Sequence, residues 1–433
     1  MSPTIIGIIG IIALFVLIFS RMPVGFIMAI IGFTGFGYLV SFDASMNLMA
    51  KDLYAVFGSY SLTVIPLFVL MGQLAFHSGI STRLFDAAYR FLGHQPGGLA
   101  MATVGACAGF AAICGSTNAT AATMAAATLP EMKRYNYKAE LATGAVAAGG
   151  SLGILIPPSV IFIVYGIMTE QSIGKLFIAG IGPGILLTAL FIVTIIIWAR
   201  VRPDLGPAGP KTSFKGKINS LAGLSETLVL FVLVMGGLFA GLFTPTEAGA
   251  IGALGTLVLA LVKRQLSWSG FASSLMETTR ISCMILVIVA GATIFGHFLA
   301  VTRIPFDIAA WISSIDLPSY AIIMLIIFVY LIGGCFIDSL ALIMLTVPIF
   351  YPVITSLNYD PIWFGVVIVL ITQIGVITPP VGVNVYVVSG VARDVPLELI
   401  FKGVMPFLIA LVLGTLILIP FPQIALFLPN LMK

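Results

Sequence analysis

The chain has 433 residues, 60% of them hydrophobic and only 8% charged, with a formal net charge of +4. Soluble domains carry roughly a quarter charged residues, so the composition excludes a soluble enzyme and offers no basic excess for nucleic acid. It fits an all-α polytopic membrane protein. Length alone suggests about three soluble domains, but the apolar segments recur too regularly for that, and one integral unit of two halves is the better reading.

The first apolar run, Thr4 to Phe19, has no basic n-region and no small-x-small cleavage site before Arg21-Met22-Pro23. It reads as a retained helix rather than a signal peptide. Further apolar segments fall near 24–41, 54–77, 99–130, 141–168, 176–200, 220–243, 246–262, 281–300, 319–351, 362–391 and 399–429. Most reach the roughly 20 residues that a spanning helix needs. At 1.5 Å per residue, 99–130 and 319–351 would each measure roughly 45–50 Å as one helix, too long for a hydrocarbon core of roughly 30 Å, so each is predicted to be a re-entrant hairpin.

With single crossings elsewhere, sixteen basic residues fall on one side, among them Arg21, Arg83, Lys133, Arg134, Lys138, Arg200, Lys263 and Lys402. Only Lys51, Lys175, Arg303 and Lys433 fall on the other. The first side is therefore cytoplasmic and both termini face outward, in the periplasm if the cell is bacterial. The four cysteines, Cys107, Cys114, Cys283 and Cys335, lie in apolar runs without metal-ligand spacing and read as small buried hydrophobes.

The halves repeat at offsets of 221 to 223: Phe85-Asp86 matches Phe306-Asp307, Cys114 matches Cys335, Pro157-Pro158 matches Pro379-Pro380, and Gly180 with Pro183 matches Gly403 with Pro406. Five crossings and one hairpin per half make the second copy inverted, an arrangement that places binding sites at the repeat interface near the midplane. The first repeat spans 1–200, with its hairpin near 99–130 and a broken helix near 141–168. A cytoplasmic linker covers 201–219. The second repeat spans 220–433, with hairpin 319–351 and broken helix 362–391. Amphipathic stretches at Ser81–Gly93 and Ile304–Ile315 suit helices lying in the interface, as plain anchors or as arms between a moving and a fixed part.

Candidate chemistry concentrates where these segments break. Gly115-Ser116-Thr117-Asn118, at the first hairpin tip, supplies hydroxyl, amide and carbonyl oxygens of the kind a dehydrated sodium ion requires; the competing reading is close helix packing. Asp338, in Phe336-Ile337-Asp338-Ser339, is an acid deep in an apolar segment with no basic neighbour in sequence. Such a charge costs several kcal/mol unless paired or facing a cavity, so a cation, a proton or a helix-capping role must account for it. In Gly150-Ser151-Leu152-Gly153-Ile154-Leu155-Ile156-Pro157-Pro158-Ser159 and in Gln373-Ile374-Gly375-Val376-Ile377-Thr378-Pro379-Pro380, proline frees upstream carbonyls and glycine permits unwinding. Thr372, Gln373 and Asn384 surround the second break. Thr117, Pro157, Ser159, Ser339, Pro380 and Asn384 are the substrate candidates at these tips and breaks.

Two pattern matches carry nothing. Gly149-Gly150-Ser151-Leu152-Gly153 satisfies G-x-S-x-G, but no strand precedes it and His77, His94 and His297 lie at membrane ends or in a loop. No P-loop is present, so ATP hydrolysis is not expected.

The chain resembles the large membrane subunit of tripartite ATP-independent periplasmic (TRAP) transporters. The resemblance lies in Gly115-Ser116-Thr117-Asn118-Ala119-Thr120, Ile156-Pro157-Pro158-Ser159, Thr244-Pro245-Thr246-Glu247-Ala248-Gly249 and Thr378-Pro379-Pro380-Val381-Gly382, and runs from about Arg21 to Phe407. It implies import of an organic acid of the C4-dicarboxylate or sialic acid type across the bacterial inner membrane. A sodium gradient would drive it, no cofactor beyond sodium would be needed, and a periplasmic substrate-binding protein and a separate small four-helix membrane subunit would assist. It further implies an elevator with Ser81–Pro130, Lys138–Tyr165 and their repeats moving against a scaffold. Carried over, Ser116, Asn118, Ser151 and Gly153 would serve one sodium site and Asp338, Gly375 and Thr378 the other, while Glu247 would be structural at a helix start. A standalone divalent-anion/sodium symporter of similar architecture, and a channel-like or scaffold protein, are the competing functions.

Overall fold

The computed structural model describes residues 2–18, 20, 22–314 and 318–432, without the side chains of 214, 222, 309 and 311–314. The expected helix ends at Phe19 and Ile315, and the charges assigned to Arg21 and Lys433, lie outside these residues. No strand occurs among the described residues. The all-α polytopic expectation agrees with this.

In chain order the first half supplies α1 (Pro3–Ile18), α2 (Val24–Leu39), α3 (Phe42–Phe57), α4 (Val64–His77) and α5 (Ile80–Leu92). It continues with α6 (Gly98–Cys114), α7 (Thr117–Arg134), α8 (Ala139–Ser151), α9 (Val160–Met168) and α10 (Ile173–Val201). The second half supplies α11 (Phe214–Phe239), α12 (Pro245–Val262), α13 (Trp268–Thr302), α14 (Ile304–Ser314) and α15 (Ser319–Gly334). After these come α16 (Ser339–Ser356), α17 (Pro361–Ile377), α18 (Val383–Val391), α19 (Leu397–Leu418) and the single turn α20 (Gln423–Leu426). Among the described residues, seven helices are long and apolar enough to cross a membrane: α4 with its preceding turn from Tyr60, α10, α11, α12, α13, α16 and α19.

Three boundaries differ from expectation. The apolar segment 54–77 belongs to two helices, because Tyr54 to Phe57 form the last turn of α3. Ser41 caps the start of α3 by accepting from the Ala44 amide, and Gly58 closes its end. The expected 281–300 helix begins thirteen residues earlier as α13, 35 residues long. Its polar first turns persist because Ser274 and Thr278 hydrogen-bond back to Gly270 and Ser274 carbonyls. The segment 399–429 stops as a helix at Leu418, before Pro420 and Pro422.

The helices sort into two packing groups, each drawing on both halves. In one, α2 packs on α13, α4 on α12 and α13, and α1, α3 and α11 complete the layer. In the other, α6 to α10 interleave with α15 to α19. The α8–α19 crossing is so close that a Cβ on Gly144 would overlap the Gly403 carbonyl. Helices α5 and α14 link the groups: α5 touches α6, α7 and α11, and α14 touches α16 and α13. Arg83 of α5 and Lys263, just after α12, both pair with the buried Glu226 of α11, the Arg83 contact at 2.6 Å.

Candidate substrate and cation site

The first hairpin turns where Gly115 takes a left-handed conformation, φ +67°, and ends α6. Ser116 is then extended, and its hydroxyl accepts the Ala119 amide at 3.4 Å to begin α7. The second hairpin turns at Cys335 to Ile337, and Asp338 begins α16, its carboxylate accepting the Leu340 amide at 3.0 Å. The two caps lie 222 positions apart. A hydroxyl in one half thus stands where the other half has a carboxylate. Among the described residues Asp338 has no cationic partner, and it is exposed. The Leu340 hydrogen bond accounts for the capping role of Asp338.

Both broken helices unwind at their cis-linked proline pairs, Pro157-Pro158 and Pro379-Pro380. In the first, the Ser159 hydroxyl donates to the Ile154 carbonyl at 2.5 Å across the gap and accepts the Phe162 amide at 3.4 Å. In the second, Thr378 ends α17 and donates to the Ile374 carbonyl at 2.5 Å. Each break abuts its hairpin through a glycine. A Cβ on Gly153 would lie 2.5 Å from the Ser116 carbonyl oxygen, and one on Gly375 would overlap the Gly334 carbonyl.

These elements meet at a cavity of about 100 Å³. Its polar lining is Ser116, Thr117 and Asn118 from the first tip, Asp338 and Ser339 from the second, and Gln73 from α4. Ile154, Val160 and Ile161 of the first broken helix and Ile281, Met284 and Ile285 of α13 complete the wall. The cavity thus brings together five of the residues singled out in the sequence. The others do not line it. Gly153 backs onto Ser116, Ser151 is buried and donates to Ala148 at 2.7 Å, and Pro157 and Ser159 are buried. Gly375 and Thr378 lie at the second break, where Pro380 is exposed. Asn384 joins α18 to α8 by donating to the Ala147 carbonyl at 3.1 Å.

Chemically the cavity offers oxygen donors: serine and threonine hydroxyls, the amides of Asn118 and Gln73, a carboxylate and nearby backbone carbonyls. Among the described residues no cluster of three His, Cys, Asp or Glu side chains could hold a transition metal. Such a donor set suits a hard monovalent cation. The amino ends of α7 and α16 also open here, and helix amino ends favour anions.

A family profile described as "Tripartite ATP-independent periplasmic transporter, DctM component" matches residues 11–424. The chain belongs to this family. The C4-dicarboxylate TRAP transporter large permease protein DctM of Pseudomonas aeruginosa is 38% identical over 387 residues, covering 89% of this chain and 90% of that protein. The sialic acid TRAP transporter large permease protein SiaM of Vibrio cholerae is 34% identical over 417 residues, covering 96% of each. Among solved structures, the YdaH transporter of Alcanivorax borkumensis aligns with a TM-score of 0.63 at 16% identity, over 90% of this chain and 89% of its own; this likeness is one of fold.

As a TRAP large permease the chain is a multi-pass membrane protein, and the family named by the sequence motifs is the one found. Sequence reasoning passed over Gln73, although a lone amide inside an apolar span is a usable signal. It named Gln373 only as a neighbour of the second break. Among the described residues, Gln373 Oε1 and Nε2 are buried without a partner, as are Ser339 Oγ and Asn384 Oδ1.

Proposed function

We propose that the chain is the large membrane subunit of a sodium-driven, binding-protein-dependent importer of a small organic acid, of the C4-dicarboxylate or sialic acid type carried by its relatives. The observation that carries this reading is the shared cavity, where Ser116, Thr117 and Asn118 from one tip face Asp338 and Ser339 from the other. A cation held by Asp338 and neighbouring oxygens offsets the acid's charge. It also leaves the α7 and α16 amino ends to attract a carboxylate, so that substrate and cation favour each other's binding.

Ser116, Asn118, Ser151 and Gly153 would frame one sodium site, and Asp338, Gly375 and Thr378 the other. Thr117, Pro157, Ser159, Ser339, Pro380 and Asn384 are the substrate candidates. The two packing groups supply the parts of an elevator: the tip-bearing group moves and the group of α1 to α4 with α11 to α13 stays. Helices α5 and α14 serve as arms. The halves 1–200 and 220–433 act as inverted repeats joined by a cytoplasmic linker at 201–219. The setting is the bacterial inner membrane with both termini periplasmic, and the partners are a small four-helix membrane subunit and a periplasmic substrate-binding protein.

Proteoliposomes holding the chain with both partners test this against a panel of radiolabelled organic acids. Uptake that requires an inward sodium gradient and the binding protein is expected. Sodium-independent flux would overturn the coupling, and full uptake without the binding protein would favour a standalone symporter.

A further inference from the structure

The cavity has two unlike walls. The tips contribute polar groups, whereas the opposite packing group contributes Val69, Gly72 and Gln73 from α4 and Ile281, Met284 and Ile285 from α13. Of these six only Gln73 carries a side chain that can hydrogen-bond. Its main chain is fixed, since its carbonyl accepts from the Ser274 hydroxyl at 3.3 Å. At the preceding residue α4 presses on the first tip, where a Cβ on Gly72 would lie 3.0 Å from the Cys114 Cα and carbonyl oxygen. The half-buried Gln73 therefore stands at the line where the two groups meet. Among the described residues its side-chain amide has no hydrogen-bond partner. Half-buried at the cavity, that amide is open to a molecule held there and can both donate to it and accept from it.

We infer that Gln73 is a substrate-contacting specificity residue, its amide hydrogen-bonding a carboxylate or hydroxyl of the organic acid from the wall opposite the hairpin tips. The inference rests on the transport reading above. A neutral amide both donates and accepts, so it reads the polar pattern of the substrate rather than its charge. Because it belongs to the other packing group, the contact exists only while the tips stand beside α4. It therefore stabilises the substrate in this arrangement of the two groups and is released when they part.

Gln73→Met, close in volume but without the amide, tests this in the full complex in proteoliposomes, with Gln73→Asn as a variant that keeps the amide on a shorter stem. Gln73→Met is expected to raise the KM for the transported acid about tenfold, as loss of one hydrogen bond to a charged group does, while the maximal rate and the half-saturating sodium concentration stay near the parent values. Gln73→Asn is expected to fall between, and the ranking of acids differing by one hydroxyl is expected to change. An unchanged KM, or a drop in maximal rate equal for every acid, would overturn the assignment and leave Gln73 a packing residue. Absence of sodium-dependent uptake in the parent complex would instead refute the transport reading itself.

Discussion

The two broken helices match in sequence but not in setting. Pro157, Pro158 and Ser159 are buried, whereas Pro379, Pro380 and Val381 are exposed. The first break is clasped at several points by its own hairpin: Gly153 rests on the Ser116 carbonyl, and Gly115 rests against the Pro158 carbonyl, where a Cβ would come to 2.6 Å. The second touches its hairpin tightly at Gly375 and Gly334, upstream of the prolines. The caps differ in the same sense, a neutral hydroxyl at Ser116 and an exposed carboxylate at Asp338. Two breaks that match in sequence thus differ in setting, one enclosed and beside a hydroxyl cap, the other more open and beside a carboxylate cap.

Replacing the charge is the largest way to break that contrast. Asp338→Asn is expected to abolish sodium-coupled uptake while the protein still inserts and purifies, because the amide keeps the α16 cap but removes the charge that would balance the proposed cation. Ser116→Ala at the matched position is expected to lower uptake without abolishing it. Equal, mild losses in the two variants, read as initial uptake rates, would show that the two tips are equivalent after all.

Backbone contact comes next. Gly375→Ala places a methyl group inside the Gly334 carbonyl, a backbone atom that cannot rotate away, so a loss of about 1–3 kcal/mol in stability is expected. Gly153→Ala also meets a backbone carbonyl, that of Ser116 at 2.5 Å, slightly farther than the 2.3 Å at Gly334, and its other neighbour, the Thr120 hydroxyl, can turn aside. Thermal unfolding in detergent is expected to rank Gly375→Ala below Gly153→Ala, both below the parent; the reverse order would place the tighter joint in the first half.

Hydroxyl deletions should separate the breaks by burial. Ser159→Ala leaves the Ile154 carbonyl and the α9 amino end without their partner in a buried site, at a cost of about 1–2 kcal/mol. Thr378→Ala removes a bond in a partly exposed turn, where water replaces it, and a cost of about 0.5–1 kcal/mol is expected. Similar melting shifts would mean that the second break is as dry in the membrane as the first.

Most of this contrast rests on features the sequence displays and a few it conceals. The hairpins were legible because Gly115-Ser116 and Asp338-Ser339 interrupt runs too long to cross once, and the breaks because each carries a proline pair behind a glycine. The unequal burial of those breaks was not legible, since it depends on which distant helices cover them. Asn384 reaching the Ala147 carbonyl, and the Tyr165 hydroxyl donating to the Pro361 carbonyl at 2.6 Å, join the halves across 237 and 196 residues, and no local periodicity encodes such partners. Helix α3 was hidden for a different reason: its last turn is apolar enough to merge with the span that follows.

The smallest expected effect concerns a joint between the halves that lies outside the breaks. Lys133, at the end of α7, pairs with Asp394, after α18, and both side chains are well exposed. The lysine's hydrogen bond holds the Asp394 carboxyl below the usual carboxylate range. A lowered folded-state value means that the contribution is present above the ordinary aspartate pKa and is lost as pH falls through the lowered one. Lys133→Ala is therefore expected to leave uptake and melting at neutral pH close to the parent, as exposed ion pairs do. The small difference between parent and variant should shrink further on acidification and under high salt. A melting difference that instead widened as pH falls would mean that Lys133 holds the two halves together through some group other than the Asp394 carboxylate.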